Sequence, residues 1–90
     1  MDMLDTLVRE RLGGDKARML ELFNDRAVLD LLRRHAEPSD WYRFKPATLD
    51  GQYLVETPGG YQTYQQERGL KEDVREFASL RAAAGYLFGL

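Results

Sequence analysis

The chain has 90 residues, 43% of them apolar and 31% charged, with a net charge of −2 and no cysteine. Its length predicts a single domain over residues 1–90, its composition excludes a disordered chain, and no apolar run approaches the roughly 18 residues of a membrane span. The lack of cysteine excludes disulfides, thiolate metal ligands and cysteine nucleophiles, and it favours a reducing compartment, the cytoplasm.

The charges are unevenly distributed along the chain. Residues 1–36 carry seven basic and seven acidic side chains, whereas residues 37–90 carry six basic and eight acidic ones. The N-terminus is acidic from Asp2 onward, which is not expected of a secretory signal with a basic head. Because no basic stripe is present, we expect no nucleic-acid partner, and the mildly acidic C-terminal part suits a basic one.

Residues 1–37 are predicted to form the helical part of the domain. Leucine and valine recur at helical spacing from Met3 to Leu12, and Asp2 or Asp5 suits the positive end of that helix. Gly13-Gly14 then ends the helix, since one of these glycines can take the left-handed cap position.

Two further amphipathic segments follow in this helical part. Asp15 offers an N-cap for a second helix, which breaks or restarts at Asn24-Asp25. A third segment continues from Arg26 to Ala36. It ends before Pro38, because proline disfavours helical geometry in the residue that precedes it, Glu37.

Residues 41–90 are predicted to form a sheet and a last helix. Turn signals at Asp50-Gly51, Pro58-Gly59-Gly60 and Arg68-Gly69 separate runs of aromatic and β-branched residues. The predicted strands are an edge strand over Tyr42–Lys45, a hairpin of Gln52–Thr57 and Tyr61–Glu67, and a third strand over Asp73–Phe77.

Ser79 is predicted to cap a terminal helix in which Ala83, Tyr86, Leu87 and Leu90 share one face. The order of elements predicts an α+β fold. It consists of N-terminal helices, a small antiparallel β-meander of three to four strands, and a C-terminal helix packed on the sheet.

No group of residues in the sequence suggests catalysis, a metal site or a cofactor. His35, the only histidine, has no second histidine or cysteine with which to hold zinc, and it suits the negative end of a helix. Ser39 lies close to it in sequence, but no orienting acid or oxyanion hole accompanies the pair. The carboxylates of Glu72, Asp73 and Glu76 lie in a charge-dense stretch that we expect to be solvated. We therefore expect a protein that is not an enzyme.

The aromatic residues of the predicted sheet are the remaining candidates for a function. Most are expected in the core or in cross-strand pairs, and without a basic track they do not suit base stacking. An exposed tryptophan or tyrosine among them would be an anchor for a protein partner, because these residues dominate interface hot spots.

The segment Gly60–Gly69 reads GYQTYQQERG, and it is followed by Phe77-Ala78-Ser79 and by LRAAAGYLF over residues 80–88. This order resembles that of small bacterial immunity proteins from polymorphic and contact-dependent growth inhibition toxin systems. The resemblance covers residues 41–90. The chain departs from the pattern at Ala83 or Ala84, where related sequences often have cysteine, and at Gln65 and Gln66, where aromatic or apolar residues are common.

The resemblance implies a protein that binds a cognate toxin domain, often a nuclease with a basic cleft, and blocks its active or target-binding site. The family implies no common contact residues, so we choose candidates by their chemistry, as carboxylates for a basic partner or as aromatic anchors. The carboxylates are Glu56, Glu67, Glu72 and Asp73, and the anchors are Trp41 and Tyr64.

Three other interpretations remain open at this point. A local ion pair with Arg68 is an alternative role for Glu67. The alternative function is a non-catalytic adaptor module with a different partner, and a small hydrolase using the carboxylates of Glu67 and Glu72 is a third hypothesis.

Overall fold

The computed structural model describes residues 3–90, so Asp2, predicted in the first turn of the first helix, lies outside the described residues. The elements are, in chain order, α1 (Met3–Leu12), a 3₁₀ helix (Lys16–Asn24), α2 (Ala27–Arg34), β1 (Tyr42–Arg43), β2 (Gly51–Thr57), β3 (Gly60–Glu67), β4 (Leu70–Phe77) and α3 (Leu80–Phe88). This is the predicted α+β order, with α3 packed on the sheet.

Glycine and aspartate set the end of α1 and the start of the next element as the sequence predicts, whereas α2 ends early. Gly13 and Gly14 both have positive φ, and the Gly14 N–H donates to the Val8 carbonyl (3.0 Å), which ends α1. The Asp15 carboxylate accepts a hydrogen bond from the N–H of Ala17 (3.0 Å) and caps the next element. The third helix, α2, ends at Arg34, two residues earlier than predicted, with His35 as its C-cap.

The second helix is a 3₁₀ helix throughout its nine residues. Its apolar residues are spaced three apart, as Met19 with Leu22 and Leu20 with Phe23, and side chains at this spacing eclipse one another in a 3₁₀ helix. Leu22 and Phe23 are buried in the main core and the other two pack against that core, so the tighter winding turns one apolar face inward.

The sheet has the strand order β1-β2-β3-β4, and β2, β3 and β4 form the predicted antiparallel hairpins. The expectation of a wholly antiparallel meander is wrong, because β1 pairs with β2 in parallel. The connection over residues 44–50 reverses the chain twice, which is sterically feasible in so few residues because β1 is only two residues long. The sheet is therefore mixed.

The last strand also begins earlier than predicted, at Leu70 rather than Asp73. Arg68 and Gly69 have φ of 52° and 79°, so a two-residue turn with both residues left-handed pairs Glu67 with Leu70 directly.

The buried face of α3 differs from the predicted one. Leu80, Ala83 and Ala84 are buried, and Leu87 packs partly against the core, at the spacing of one helical stripe. The two other residues predicted on this face, Tyr86 and Leu90, are exposed. The predicted N-cap is confirmed, because Ser79 Oγ accepts from the N–H of Ala82 (3.1 Å).

The two faces of the sheet are covered by different parts of the chain. The three helices and the 3₁₀ helix cover one face, where Leu54 joins the main core. On the other face, Tyr53, Val55 and Tyr64 form a second small cluster. The loop of residues 44–50 lies over this cluster, because Tyr53 Oη and Gln66 Nε2 both donate to the Leu49 carbonyl (2.5 and 3.1 Å).

Arg43 holds this loop and the preceding one to the sheet. The residue is only 9% exposed, and its guanidinium donates to the carbonyls of Asp50 (2.9 Å), Pro38 (2.7 Å) and Glu37 (3.3 Å). Glycine is required beside it at Gly51, since a Cβ there would lie 2.5 Å from the Trp41 carbonyl oxygen and 3.1 Å from Arg43 Nε. Arg43 therefore joins the strand to the backbone on both sides of it.

Replacing Arg43 with methionine is expected to lower the free energy of unfolding by about 2–3 kcal/mol, because the partly buried carbonyls of Asp50 and Pro38 lose their donor and that of Glu37 keeps only the N–H of Asp40. Urea denaturation measures the change. Arg34→Met, at an exposed position of α2, serves as the matched control, and an equal loss in the two variants would contradict the anchoring role of Arg43.

Replacing Arg68 with asparagine is expected to raise the free energy of unfolding by about 0.5–1 kcal/mol. Asparagine tolerates left-handed geometry better than arginine does and is favoured in a two-residue turn of this type. The hydrogen bond from the backbone N–H of residue 68 to Asp50 Oδ1 (2.9 Å) is retained, and a lower melting temperature would contradict the turn geometry.

Candidate functional site

The structure brings three of the six predicted contact residues together on β3 and β4. The register pairs Glu67 with Leu70 and Glu72 with Gln65, and Asp73 follows Glu72 on the same strand. We call the surface formed by Glu67, Leu70 and Glu72 the acidic end of the sheet. Trp41 lies apart from it, beside β1 at the opposite edge of the sheet, with 53% of its surface exposed.

The carboxylate of Glu56 is committed to contacts within the chain. Both its oxygens accept from the Arg26 guanidinium (2.7 and 2.6 Å), and an Arg33 nitrogen lies 3.6 Å away. The hydrogen bonds from Arg26 hold the pKa of Glu56 below its usual range. Because these arginines stand at the start and in the last turn of α2, Glu56 joins that helix to β2 rather than facing a partner.

Tyr64 is not at the surface. It is 2% exposed, and its ring stacks on that of Tyr53, its neighbour in the register, at a centroid distance of 4.8 Å. Lys71 Nζ lies 4.6 Å from the ring centroid, and burial raises the pKa of the Tyr64 phenol. In this fold Tyr64 forms a cross-strand pair with Tyr53 in the second cluster, and its ring is not available as an exposed anchor.

The carboxylates at the acidic end of the sheet have no cationic partner. Within residues 3–90, no ion pair includes Glu67 or Glu72, so the local pair of Glu67 with Arg68 is not formed. Both residues are exposed, and Leu70 between them is 68% exposed. The acidic end therefore offers two uncompensated charges around an apolar side chain.

Asp73 occupies a β-bulge, which sequence reasoning did not predict. The register between β3 and β4 shifts between Thr63 and Gln65, and Asp73 has a left-handed φ of 51°. Aspartate is one of the few side chains that tolerate this conformation, which is the only signal that the sequence offers. The bulge directs the Asp73 carboxylate to two partners, the hydroxyl of Tyr86 on α3 and Nε of Arg75 (3.0 Å).

The Asp73–Tyr86 pair is not tuned for proton transfer. The hydrogen bond from Tyr86, followed by that from Arg75, lowers the pKa of Asp73, and the same bond to Asp73 raises the pKa of Tyr86. A general acid or base works best with a pKa near the operating pH. These shifts move both pKa values further from pH 7, so the carboxylate stays ionised and the phenol stays uncharged.

A polar pocket opens between the C-terminal half of α3 and the sheet, and sequence reasoning missed it. It encloses about 320 Å³ and is lined by Gln52, Thr63, Tyr64, Gln65, Asp73, Tyr86 and Leu87. Strand alternation turns the Tyr64 ring to the opposite face, so this residue contributes its backbone. The residues come from β2, β3, β4 and α3, and no local sequence pattern indicates that they meet.

The other groups considered from the sequence remain apart. His35 and Ser39 are both exposed beyond the end of α2. In the part of the chain that the structure describes, no three histidine, aspartate or glutamate side chains are placed to hold a metal ion. Each helix over residues 3–90 falls short of what a bilayer span requires.

No family model, no curated protein and no solved structure matches the chain.

Replacing Glu56 with glutamine is expected to flatten the acid limb of the stability profile. A carboxylate whose pKa is lower in the folded state stabilises the fold above its unfolded pKa of about 4.3, and this contribution disappears as the pH falls through the folded value. Chemical denaturation from pH 7 to pH 3 should therefore show wild type and Glu56→Gln converging at low pH.

Arg26→Met is the control for the cause of this effect. It removes the partner whose hydrogen bonds lower the pKa of Glu56, so it should flatten the same limb. Profiles of wild type and Glu56→Gln that run parallel over the whole range would contradict the assignment.

Proposed function

We propose that this chain is an immunity protein that binds a cognate bacterial toxin domain, of the basic nuclease type, and blocks its active or target-binding site. The resemblance of residues 41–90 to such proteins motivates the proposal. The single observation that carries it is the acidic end of the sheet, where two exposed carboxylates without cations flank an exposed leucine.

The charges of this surface would attract a basic partner, and its apolar area would be buried on binding. Glu67 and Glu72 add to the acidic excess of residues 37–90, and a field of this sign speeds the approach of a basic protein. Leu70 supplies apolar area that a partner would remove from water. Glu56 and Tyr64 are left out of the proposed contact surface because both are engaged inside the fold.

The neighbouring backbone adds a second mode of contact. β4 is an edge strand, and it is exposed along its length up to Phe77. Edge strands can accept a partner strand. The bulge at Asp73 interrupts this edge and disfavours regular strand pairing across that residue, including pairing with a second copy of this chain.

The proposed partner is a protein, and the compartment in which the two meet is the cytoplasm of the producing bacterium. No cofactor or reaction is needed, since neutralisation follows from occupying the toxin surface. The non-catalytic adaptor function is the alternative, and the exposed Trp41 at the opposite edge would be its anchor.

The experiment is co-expression with the product of the adjacent upstream gene, followed by co-purification and a test of protection in cells. Glu72→Lys should slow association by about tenfold at low salt, and added salt should shrink the difference, because exposed charges act on the encounter rate.

Glu76→Lys is the matched control for this variant. Glu76 lies on the same strand and undergoes the same change of charge, but it pairs with Gln62 on the other face of β4. Equal rates for the two variants would contradict the assigned surface, and failure to bind or protect would sink the proposed function. Loss of toxin binding in Trp41→Ala but not in Glu72→Lys would place the contact at the opposite edge of the sheet and contradict the assigned surface.

A further inference from the structure

The polar pocket is built from two opposed amides over a buried hydroxyl. Gln52 on β2 and Gln65 on β3 are direct partners in the register, and their side chains stand on the face that carries α3. Opposed side chains in antiparallel strands have Cβ atoms about 5 Å apart. The two carboxamides therefore flank the pocket, with Thr63 beneath them and Tyr86 and Leu87 forming one wall.

Thr63 has a polar atom that the fold leaves unsatisfied. The residue is 1% exposed, and its Oγ1 is the one buried side-chain nitrogen or oxygen among residues 3–90 without a hydrogen-bond partner. Its partners in the register are Leu54 and Arg75. A buried hydroxyl without a partner costs free energy, and most such groups in proteins are paired. The hydroxyl thus lacks a partner, and Thr63 is one of the residues that line the pocket.

The groups around this hydroxyl favour a cationic donor. Among the described residues that line the pocket, none is basic and Asp73 is acidic. The exposed Glu72 lies next to the pocket as the cross-strand partner of Gln65. The nearby Arg75 is held by Asp73 and lies over the Tyr86 ring, 5.4 Å from its centroid. Carboxamides and hydroxyls can donate as well as accept hydrogen bonds, whereas carboxylates only accept, so it is Asp73 and Glu72 that favour a cationic group rich in donors.

We propose that this pocket binds a guanidinium group, between the carboxamides of Gln52 and Gln65 and above the hydroxyl of Thr63. A guanidinium is planar and presents five donors in a fixed fork, which matches several acceptors around one plane better than an ammonium does. A pocket of about 320 Å³ is at the small end of ligand sites, which suits one side chain. An arginine of the toxin is the source that rests on the proposed function, and a free guanidinium compound is the other source.

The first test is an NMR titration of the isotope-labelled protein with N-acetyl-arginine methylamide. The expected result is saturable shifts of the side-chain amides of Gln52 and Gln65 at millimolar ligand. N-acetyl-citrulline methylamide, which is neutral and nearly isosteric, should shift them at least tenfold less. Equal responses to the two compounds, or no response to the arginine compound, would overturn the proposal.

Thr63→Val separates a binding role from a structural one. Valine keeps the shape and removes the unpaired hydroxyl, so the urea midpoint should rise while affinity for the arginine compound falls about tenfold. A lower urea midpoint would show that the hydroxyl already has a partner, and it would overturn the premise. Gln62→Leu, on the same strand but the opposite face, should leave the affinity unchanged.

The same variants distinguish failure of this inference from failure of the proposed function. If the toxin binds wild type and Thr63→Val equally and the arginine compound does not bind, the pocket assignment falls and the immunity function stands. If the arginine compound binds as expected and the toxin does not bind at all, the pocket is a site for free guanidinium compounds, and the immunity function is contradicted.

Discussion

The contact on which the sheet depends is the buried guanidinium of Arg43, which donates to the carbonyls of Glu37, Pro38 and Asp50. These carbonyls belong to the segments before β1 and before β2, so one side chain sets the path of the chain on both sides of a two-residue strand. A parallel pair this short has few ladder hydrogen bonds of its own, and the arginine supplies bonds that the ladder lacks. The required glycine at position 51 is a consequence, since the backbone of Trp41 approaches it closely.

The path set by Arg43 makes the two faces of the sheet unequal. The loop of residues 44–50 covers the face of Tyr53 and Tyr64, and the buried hydroxyl of Tyr53 and amide of Gln66 find acceptors in its carbonyls. The helices cover the other face only in part. Beside the C-terminal half of α3 that face carries glutamine and glutamate side chains, and there the polar pocket adjoins the acidic end of the sheet. The acidic end lies on the part of this face that the helices leave exposed, and the polar pocket lies where the sheet meets the C-terminal half of α3.

The elements that follow from local chemistry were predictable, and those that depend on distant contacts were not. Gly13-Gly14, Asp15 and Ser79 set their helix ends as predicted, because each acts on backbone within a few residues. The hairpins follow from their turn residues in the same way. The parallel pairing of β1 depends on carbonyls brought in from two loops, and the burial of Tyr64 follows from it. The exposed carboxylates of the candidate site were predictable as charges, whereas the pocket joins four elements and has no sequence pattern.

The most direct test of this account is the hydrogen exchange of the Arg43 Nε–H with water, measured by NMR at the same pH as that of the exposed Arg34. The account predicts that the Arg43 Nε–H, bonded to the Asp50 carbonyl in a side chain with little exposure, exchanges far more slowly. Exchange of the two groups at similar rates would contradict it, because Arg43 would then not be held by the carbonyls of the loops that flank β1.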